Sequence, residues 1–244
     1  MKIALLVLAV ILGILLLPFL FLFICGLFVD MKKEYDRDSK FYRTILQGST
    51  TVILWCLGVR YNIIGEEKFP ESGNFLFISN HRSNYDPIIQ WTVFKRYKLS
   101  FISKKENFRI PMYGRIIHRC CFMAIDRKSP RKAMETVNRA ARLLMETENS
   151  VGVYPEGKRS KECKLLPFHS GVLKTAQKAG KPIVVSTIEG TENIFRNIKR
   201  FRKTVVTIKI LETIDAGRVR AEKTSELSEY CAALMKNELE EPPK

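Results

Sequence analysis

The sequence predicts an α/β domain, a central mixed sheet flanked by helices, preceded by an N-terminal membrane-associated helical segment. Three observations lead there. Short apolar runs of strand length alternate with helical patterns from about Tyr61 onward. An uncharged stretch of 27 residues, Ile3–Val29, stands at the amino end. The length of 244 residues suits one sizeable domain plus an appendage, not two domains with separate large cores.

As a helix, Ile3–Val29 would reach roughly 40 Å, against the ~30 Å of a bilayer's hydrocarbon core. A cleaved signal peptide has a shorter apolar region, about 7–15 residues, and no small-x-small site closes this one. The stretch therefore reads as a membrane anchor. Gly13 and Pro18 lie within it, so a bent or half-embedded geometry stays open beside a spanning one. Lys2 alone precedes the run, whereas Lys32, Lys33, Arg37, Lys40 and Arg43 follow it, which puts the body of the chain on the cytoplasmic side. After a charged spacer, Phe41–Val59 is a second, less apolar stretch. It reads as a helix at the membrane interface with Trp55 and Tyr61 as interfacial aromatics, or as the first helix of the soluble domain.

Strands are expected at Phe75–Ser79, Leu99–Ser103, Phe122–Ile125, Val151–Tyr154, Ile183–Ile188 and Val205–Ile210. Helices are expected at Ile88–Phe94, Arg131–Glu148 and Gly171–Ala179. In the second of these, Met134, Val137, Ala141, Leu144 and Met145 recur at three- and four-residue intervals. A last helix begins near Thr224 or Ser225 and buries Leu227, Cys231, Leu234 and Met235, ahead of a polar tail at Glu238–Lys244. The chain is expected to divide into residues 1–60 (anchor and interfacial helix), 61–215 (the main α/β domain) and 216–244 (C-terminal helix and tail).

Lys and Arg number 41 against 25 Asp and Glu, a net charge of +16 that calls for an anionic partner. No nucleic-acid motif or stacking pattern accompanies the basic clusters, so nucleic acid is not expected. The six cysteines form no C-x-x-C pair and no metal-ligand spacing with the three histidines, so no metal site is expected. They read as free thiols in a reducing compartment.

Three segments carry chemistry. In Asn80-His81-Arg82-Ser83-Asn84-Tyr85-Asp86-Pro87, a histidine and an aspartate stand five positions apart, between a strand and a helix start. A neutral imidazole takes a proton near pH 7, and a carboxylate behind it fixes the tautomer and stabilises the imidazolium. Asp86-Pro87 is equally what a helix N-cap with proline at the first helical position looks like. Tyr154-Pro155-Glu156-Gly157-Lys158-Arg159-Ser160 follows a strand; Gly157 permits close backbone approach and Arg159 offers a planar fork of donors suited to phosphate. Phe122–Ile125 ends in Asp126-Arg127. Taken singly, the second and third segments also fit an ordinary turn and a structural ion pair.

Together and in this order, the three segments resemble the glycerolipid acyltransferases, specifically the 1-acylglycerol-3-phosphate acyltransferases. The likeness runs from about Ile64 to Ile188. It rests on the His-x4-Asp block at His81 and Asp86, on Ala124-Ile125-Asp126-Arg127 for Phe-Ile-Asp-Arg, and on Tyr154–Ser160 for Phe-Pro-Glu-Gly-Thr-Arg-Ser, with lysine for threonine at Lys158. Lys104-Lys105-Glu106, Ile110-Pro111 and Leu166-Pro167-Phe168 agree as well. Pro182-Ile183-Val184-Val185-Ser186 stands for a fourth block, without its second proline. The resemblance implies direct acyl transfer from acyl-CoA or acyl carrier protein to the sn-2 hydroxyl of lysophosphatidate, with no further cofactor. His81 would be the general base and Asp86 its orienter. Arg159, with Arg127 and Lys104, would hold the acceptor phosphate, and Glu156 and Gly157 would shape the acceptor loop. Another lysophospholipid or a lyso-aminolipid is the alternative acceptor, and a membrane-tethered basic binding module the alternative class. His118 and His169 read as structural or solvated. Of the basic clusters at Arg127–Lys132, Lys158–Lys164 and Arg196–Lys203, only the one around Lys158 is assigned to anionic headgroups and phosphorylated donors; the other two read as solvated surface.

Overall fold

A computed structural model of the protein describes residues 20–160 and 162–240. Its seven-stranded sheet has the order β1-β7-β6-β2-β5-β3-β4. The strands are β1 (Val59–Ile64), β2 (Leu76–Ser79), β3 (Ser100–Lys104), β4 (Met123–Ile125), β5 (Val151–Val153), β6 (Ile183–Glu189) and β7 (Thr204–Ile214). Neighbours run parallel except β6 and β7, which pair antiparallel with a register shift at Val185/Ser186. The sheet is therefore mixed, as expected.

The helices are α1 (Lys40–Cys56), α2 (Asp86–Val93), α3 (Tyr113–Arg119), α4 (Pro130–Glu146), α5 (Lys174–Ala179), α6 (Ile194–Ile198), α7 (Ala216–Ala221) and α8 (Thr224–Glu240). They cover both faces. Around β2 the side chains alternate: Phe75 and Phe77 join Trp91, Phe94, Ile116 and Phe101 in one cluster, and Leu76 and Ile78 join Leu144, Leu173, Cys231 and Met235 in the other. All four residues of β2 are buried, as a strand covered on both sides must be.

Four elements went unforeseen. The strand β1 is largely exposed and polar in its middle (Arg60-Tyr61-Asn62), and its sole neighbour β7 lies far along the chain, so no local pattern announced it. Helix α3 is short and is entered through Met112 in an unusual left-handed backbone, φ 63. Helices α6 and α7 have five and six residues, too few to show a period. Gly171 belongs to a 3-10 turn ahead of α5 rather than to the helix itself.

Of the expected anchor, Ile3–Val29, all but the last residues lie outside those described; residues 20–27 are helical. No helix among the described residues is long and apolar enough to cross a membrane. The stretch read as an interfacial helix is α1, which ends at Cys56 and buries Leu46 and Leu54 against the core. Arg43, counted by its sequence position among the charges flanking the anchor, is instead buried. Its guanidinium pairs with Asp38, donates to Leu99 O at 3.1 Å and lies over the Trp91 ring at 4.4 Å. It ties α1 to β3 and α2. Trp55 and Tyr61 remain exposed.

Candidate active site

The expected site residues all follow the carboxyl ends of neighbouring strands: His81 after β2, Lys104 at the end of β3, Arg127 after β4, and the Tyr154–Ser160 loop after β5. In an open α/β sheet that edge is where loops converge on a ligand.

His81 Nδ1 lies 2.7 Å from Asp86 Oδ2. A carboxylate only accepts, so Nδ1 carries the proton and Nε2 is left as the ring's base. Asp86 is fully buried at the first residue of α2, and its charge is met on every side. Oδ2 also accepts the main-chain N–H of Arg82 at 2.7 Å and of Ser83 at 2.8 Å, and Oδ1 accepts the Thr191 hydroxyl. The capping reading and the dyad reading are thus both realised in one carboxylate: it satisfies the turn before α2 and faces the imidazole as well.

The imidazole is also held face-on. The Tyr154 ring stacks on it with centroids 4.2 Å apart and planes 15° from parallel. Tyr154 Oη donates to Gln90 Oε1 at 2.7 Å, and Gln90 Nε2 donates to Ser79 Oγ at 2.9 Å. Burial pushes the Tyr154 phenol well above its usual pKa, so it stays a donor.

The backbone of His81 is gripped from the β5 loop. Glu156 Oε1 accepts the His81 N–H at 2.6 Å and Oε2 accepts the Leu166 N–H at 2.9 Å, while the Ser160 N–H donates to His81 O at 2.8 Å. Glu156 is only 2% exposed; burial raises its carboxyl pKa, opposed by those two backbone hydrogen bonds. Its partners are thus main chain. Gly157 turns the loop at φ 68, where a side chain would be strained and a Cβ would stand 3.0 Å from His169 Cδ2. Asn80 acts as a stretch of strand. Its amide accepts from Ile188 N at 2.7 Å and donates to Ile188 O at 3.0 Å, locking the end of β2 to β6.

His81 opens into a cavity of about 870 Å³. Lys104, Arg127, Gly157 and Arg159 line it, as does Lys158. None of the four cations is paired with a carboxylate among the described residues. Partial burial lowers the pKa of Arg127 from its usual value, with Glu106 opposing, and the guanidinium stays charged. Ile88, Phe101, Ile102, Ile110 and Phe122 supply apolar wall. The arrangement offers a base, a cationic end and a greasy side, as proton abstraction from an amphiphile with an anionic head requires.

Asp126 parts from its neighbour. It lies 3.6 Å from Lys105 and faces a second cleft of about 520 Å³ with His118 and Arg139, away from His81. His118 Nε2 is 2.9 Å from Lys33 O, and burial lowers its pKa. His169 gives its N–H to Pro155 O.

Thr191, Gln90 and Ser79 were missed. Gln90 stands four residues after Asp86, on the same helical face, and that spacing was a usable signal. Thr191 reaches Asp86 across 105 positions, for which no local pattern exists.

A family model described as Acyltransferase matches residues 60–189. The chain is 29% identical over 172 residues to a 1-acyl-sn-glycerol-3-phosphate acyltransferase of Salmonella typhimurium, covering 70% of this chain and 69% of that one. It is 30% identical over 189 residues to the protein of that name from Haemophilus influenzae, covering 77% of each. A coconut (Cocos nucifera) protein of that name is 31% identical over 195 residues, 79% of this chain and 62% of its own. The crystal structure of the 1-acyl-sn-glycerophosphate (LPA) acyltransferase PlsC from Thermotoga maritima has the same fold, with a TM-score of 0.67 at 23% identity, covering 90% of this chain and 86% of that one. With a matching family model over more than half its length and the His-x4-Asp dyad built at the end of β2, the chain belongs to the acyltransferase family.

Proposed function

We propose that the protein is a membrane-bound acyltransferase that moves a fatty acyl chain from acyl-CoA or acyl carrier protein to the sn-2 hydroxyl of 1-acylglycerol-3-phosphate, forming phosphatidate. The observation that carries this reading is the His81–Asp86 pair, 2.7 Å apart, on a cavity lined by Lys104, Arg127 and Arg159. The names of the related proteins support the acceptor.

In this reading the lysophosphatidate phosphate binds the cationic end, with Arg159 and Arg127 as bidentate partners and Lys104 as a point charge. His81 Nε2 takes the proton from the sn-2 hydroxyl as its oxygen attacks the thioester carbonyl. Asp86 stabilises the imidazolium that forms. As the tetrahedral intermediate collapses, the C–S bond breaks, and the imidazolium returns its proton to the departing thiolate. The oxygen keeps the acyl group and the histidine ends as it began. No acyl-enzyme is formed, so no nucleophilic serine is needed. Glu156 and Ser160 hold the His81 backbone, and Tyr154 holds its ring, so that Nε2 keeps one direction throughout.

The amino-terminal stretch anchors the chain, and Lys32, Lys33, Arg37 and Lys40 favour the cytoplasmic side. The test is to incubate purified protein with lysophosphatidate and an acyl-CoA and to identify the product by mass. Phosphatidate formation that His81→Ala abolishes is expected. Turnover unchanged in that variant removes His81 as the base, and turnover only with another lysolipid moves the reading to that acceptor.

A further inference from the structure

Residues 194–203, Ile-Phe-Arg-Asn-Ile-Lys-Arg-Phe-Arg-Lys, hold five cations and no acid. They form α6 and the turn into β7, and none of them lines the catalytic cavity. Phe201 is 101% exposed and Phe195 61%. Among the described residues none of the five cations is paired with a carboxylate. Arg196 donates to Asn193 Oδ1, and Lys199 lies 4.5 Å over the Phe195 ring.

The turn is built, not loose. The N–H groups of Arg200 and Arg202 both donate to Asn197 O, that of Phe201 donates to Ile198 O, and Asn197 Nδ2 reaches Thr204 Oγ1. The Phe201 ring is thus held outward by a hydrogen-bonded backbone. Next to it, Lys203 packs on Gly58 and the Thr204 N–H donates to Gly58 O at 3.1 Å. The turn therefore abuts the carboxyl end of α1, where Trp55 is 79% exposed. From Thr44 to Gly58 the chain has no charge, and Phe41, Val52 and Ile53 are exposed along the same helix.

We infer that residues 194–203 are a membrane contact of their own, in which Phe201 enters the interface of an anionic leaflet and Arg196, Lys199, Arg200, Arg202 and Lys203 meet lipid phosphates. Bare aromatic rings set among long cationic side chains are the chemistry of an interfacial element, since the rings gain by leaving water and the cations reach back to the headgroups. An acidic protein would match the cations and leave the neighbouring uncharged stripe of α1 without a complement; a bilayer matches both. The contact revises the reading of Arg196–Lys203 as merely solvated, and makes the protein selective for lipid charge as well as for an apolar surface.

Tryptophan fluorescence tests it, because the chain has two tryptophans and Trp91 is buried. Three full-length proteins are compared with vesicles of brominated phosphatidylcholine, with and without phosphatidylglycerol: wild type, Trp55→Phe, and Trp55→Phe/Phe201→Trp. The indole placed at position 201 should lose about half its emission with phosphatidylglycerol present, and much less without it or at high salt. Removing Arg200, Arg202 and Lys203 together by Gln should lower the preference for phosphatidylglycerol vesicles, about fivefold per cation. If wild-type Trp55 is quenched while position 201 shows no more than the Trp55→Phe baseline, the loop stays in water and the inference is overturned. If neither position is quenched, the bilayer reading of the whole chain falls with it. Should the Gln variants leave quenching unchanged and instead raise KM for an acyl carrier protein donor, the loop belongs to an acidic protein, and the lipid contact is wrong.

Discussion

Glu156 accepts the main-chain N–H of His81 at 2.6 Å across 75 positions of sequence. The loop after β5 therefore sets the height of the imidazole that leaves β2. Glu156→Gln keeps the shape but turns one acceptor into a donor that faces an N–H, costing about 1–3 kcal/mol. We expect kcat to fall further than KM rises, since the displaced group is the imidazole rather than the proposed phosphate-binding cations. A rise in KM with kcat intact would show that Glu156 serves the acceptor instead.

The same carboxyl gives a pH signature. Burial raises its pKa in the folded chain, so above the usual carboxylate range the folded state retains a proton that the unfolded state has released. Its contribution to stability therefore falls as pH rises from the unfolded pKa through the raised folded one. The melting temperature of wild type minus that of Glu156→Gln should decrease from about pH 4 toward neutrality. A difference that grows over this interval would contradict the shift.

Asp86→Asn replaces the buried carboxylate, whose Oδ2 accepts three hydrogen bonds, by a neutral amide that can turn its NH2 toward the ring. The imidazole loses its fixed tautomer and its counter-charge, and a fall in kcat of about 10³–10⁴ is expected, comparable with the loss of an orienting aspartate elsewhere. Steady-state rates of the folded variant, checked by circular dichroism, decide it. A loss below tenfold would reduce Asp86 to a helix cap.

Tyr154→Phe keeps the ring on His81 and removes the hydroxyl that satisfies Gln90. A destabilisation of about 1–2 kcal/mol is expected from the orphaned Gln90 oxygen, with a modest drop in rate. Tyr154→Phe/Gln90→Leu should recover only part of the stability, because the buried Ser79 hydroxyl then loses its Gln90 donor. Denaturant unfolding measures both.

Arg159→Ala and Arg127→Ala each remove a cation that has no carboxylate partner in the cavity. KM for lysophosphatidate should rise roughly tenfold for either, with little change in melting temperature. Equal effects on a lysolipid lacking the phosphate would place these residues elsewhere in the reaction.

The sequence by itself determined the alternation of strands and helices and made most of the candidate site legible. Runs such as Leu76–Ser79 and Val151–Val153 are apolar because both faces are covered, and that pattern is local. His81, Asp86, Glu156, Gly157 and Arg159 were legible because each sits within a few residues of a strand end. Only the tertiary structure decided what lies between those segments. Thr191 on Asp86, Asn80 on Ile188, the Glu156 grip on His81 and the burial of Arg43 all join residues distant in sequence, and a hydrogen bond across two crossovers leaves no period to read. The edge strand β1 was missed for the same reason: its partner β7 lies far along the chain, and most of its side chains face water. Spacing within the chain reveals what one element presents; which elements face each other is fixed by packing both sides of the sheet at once.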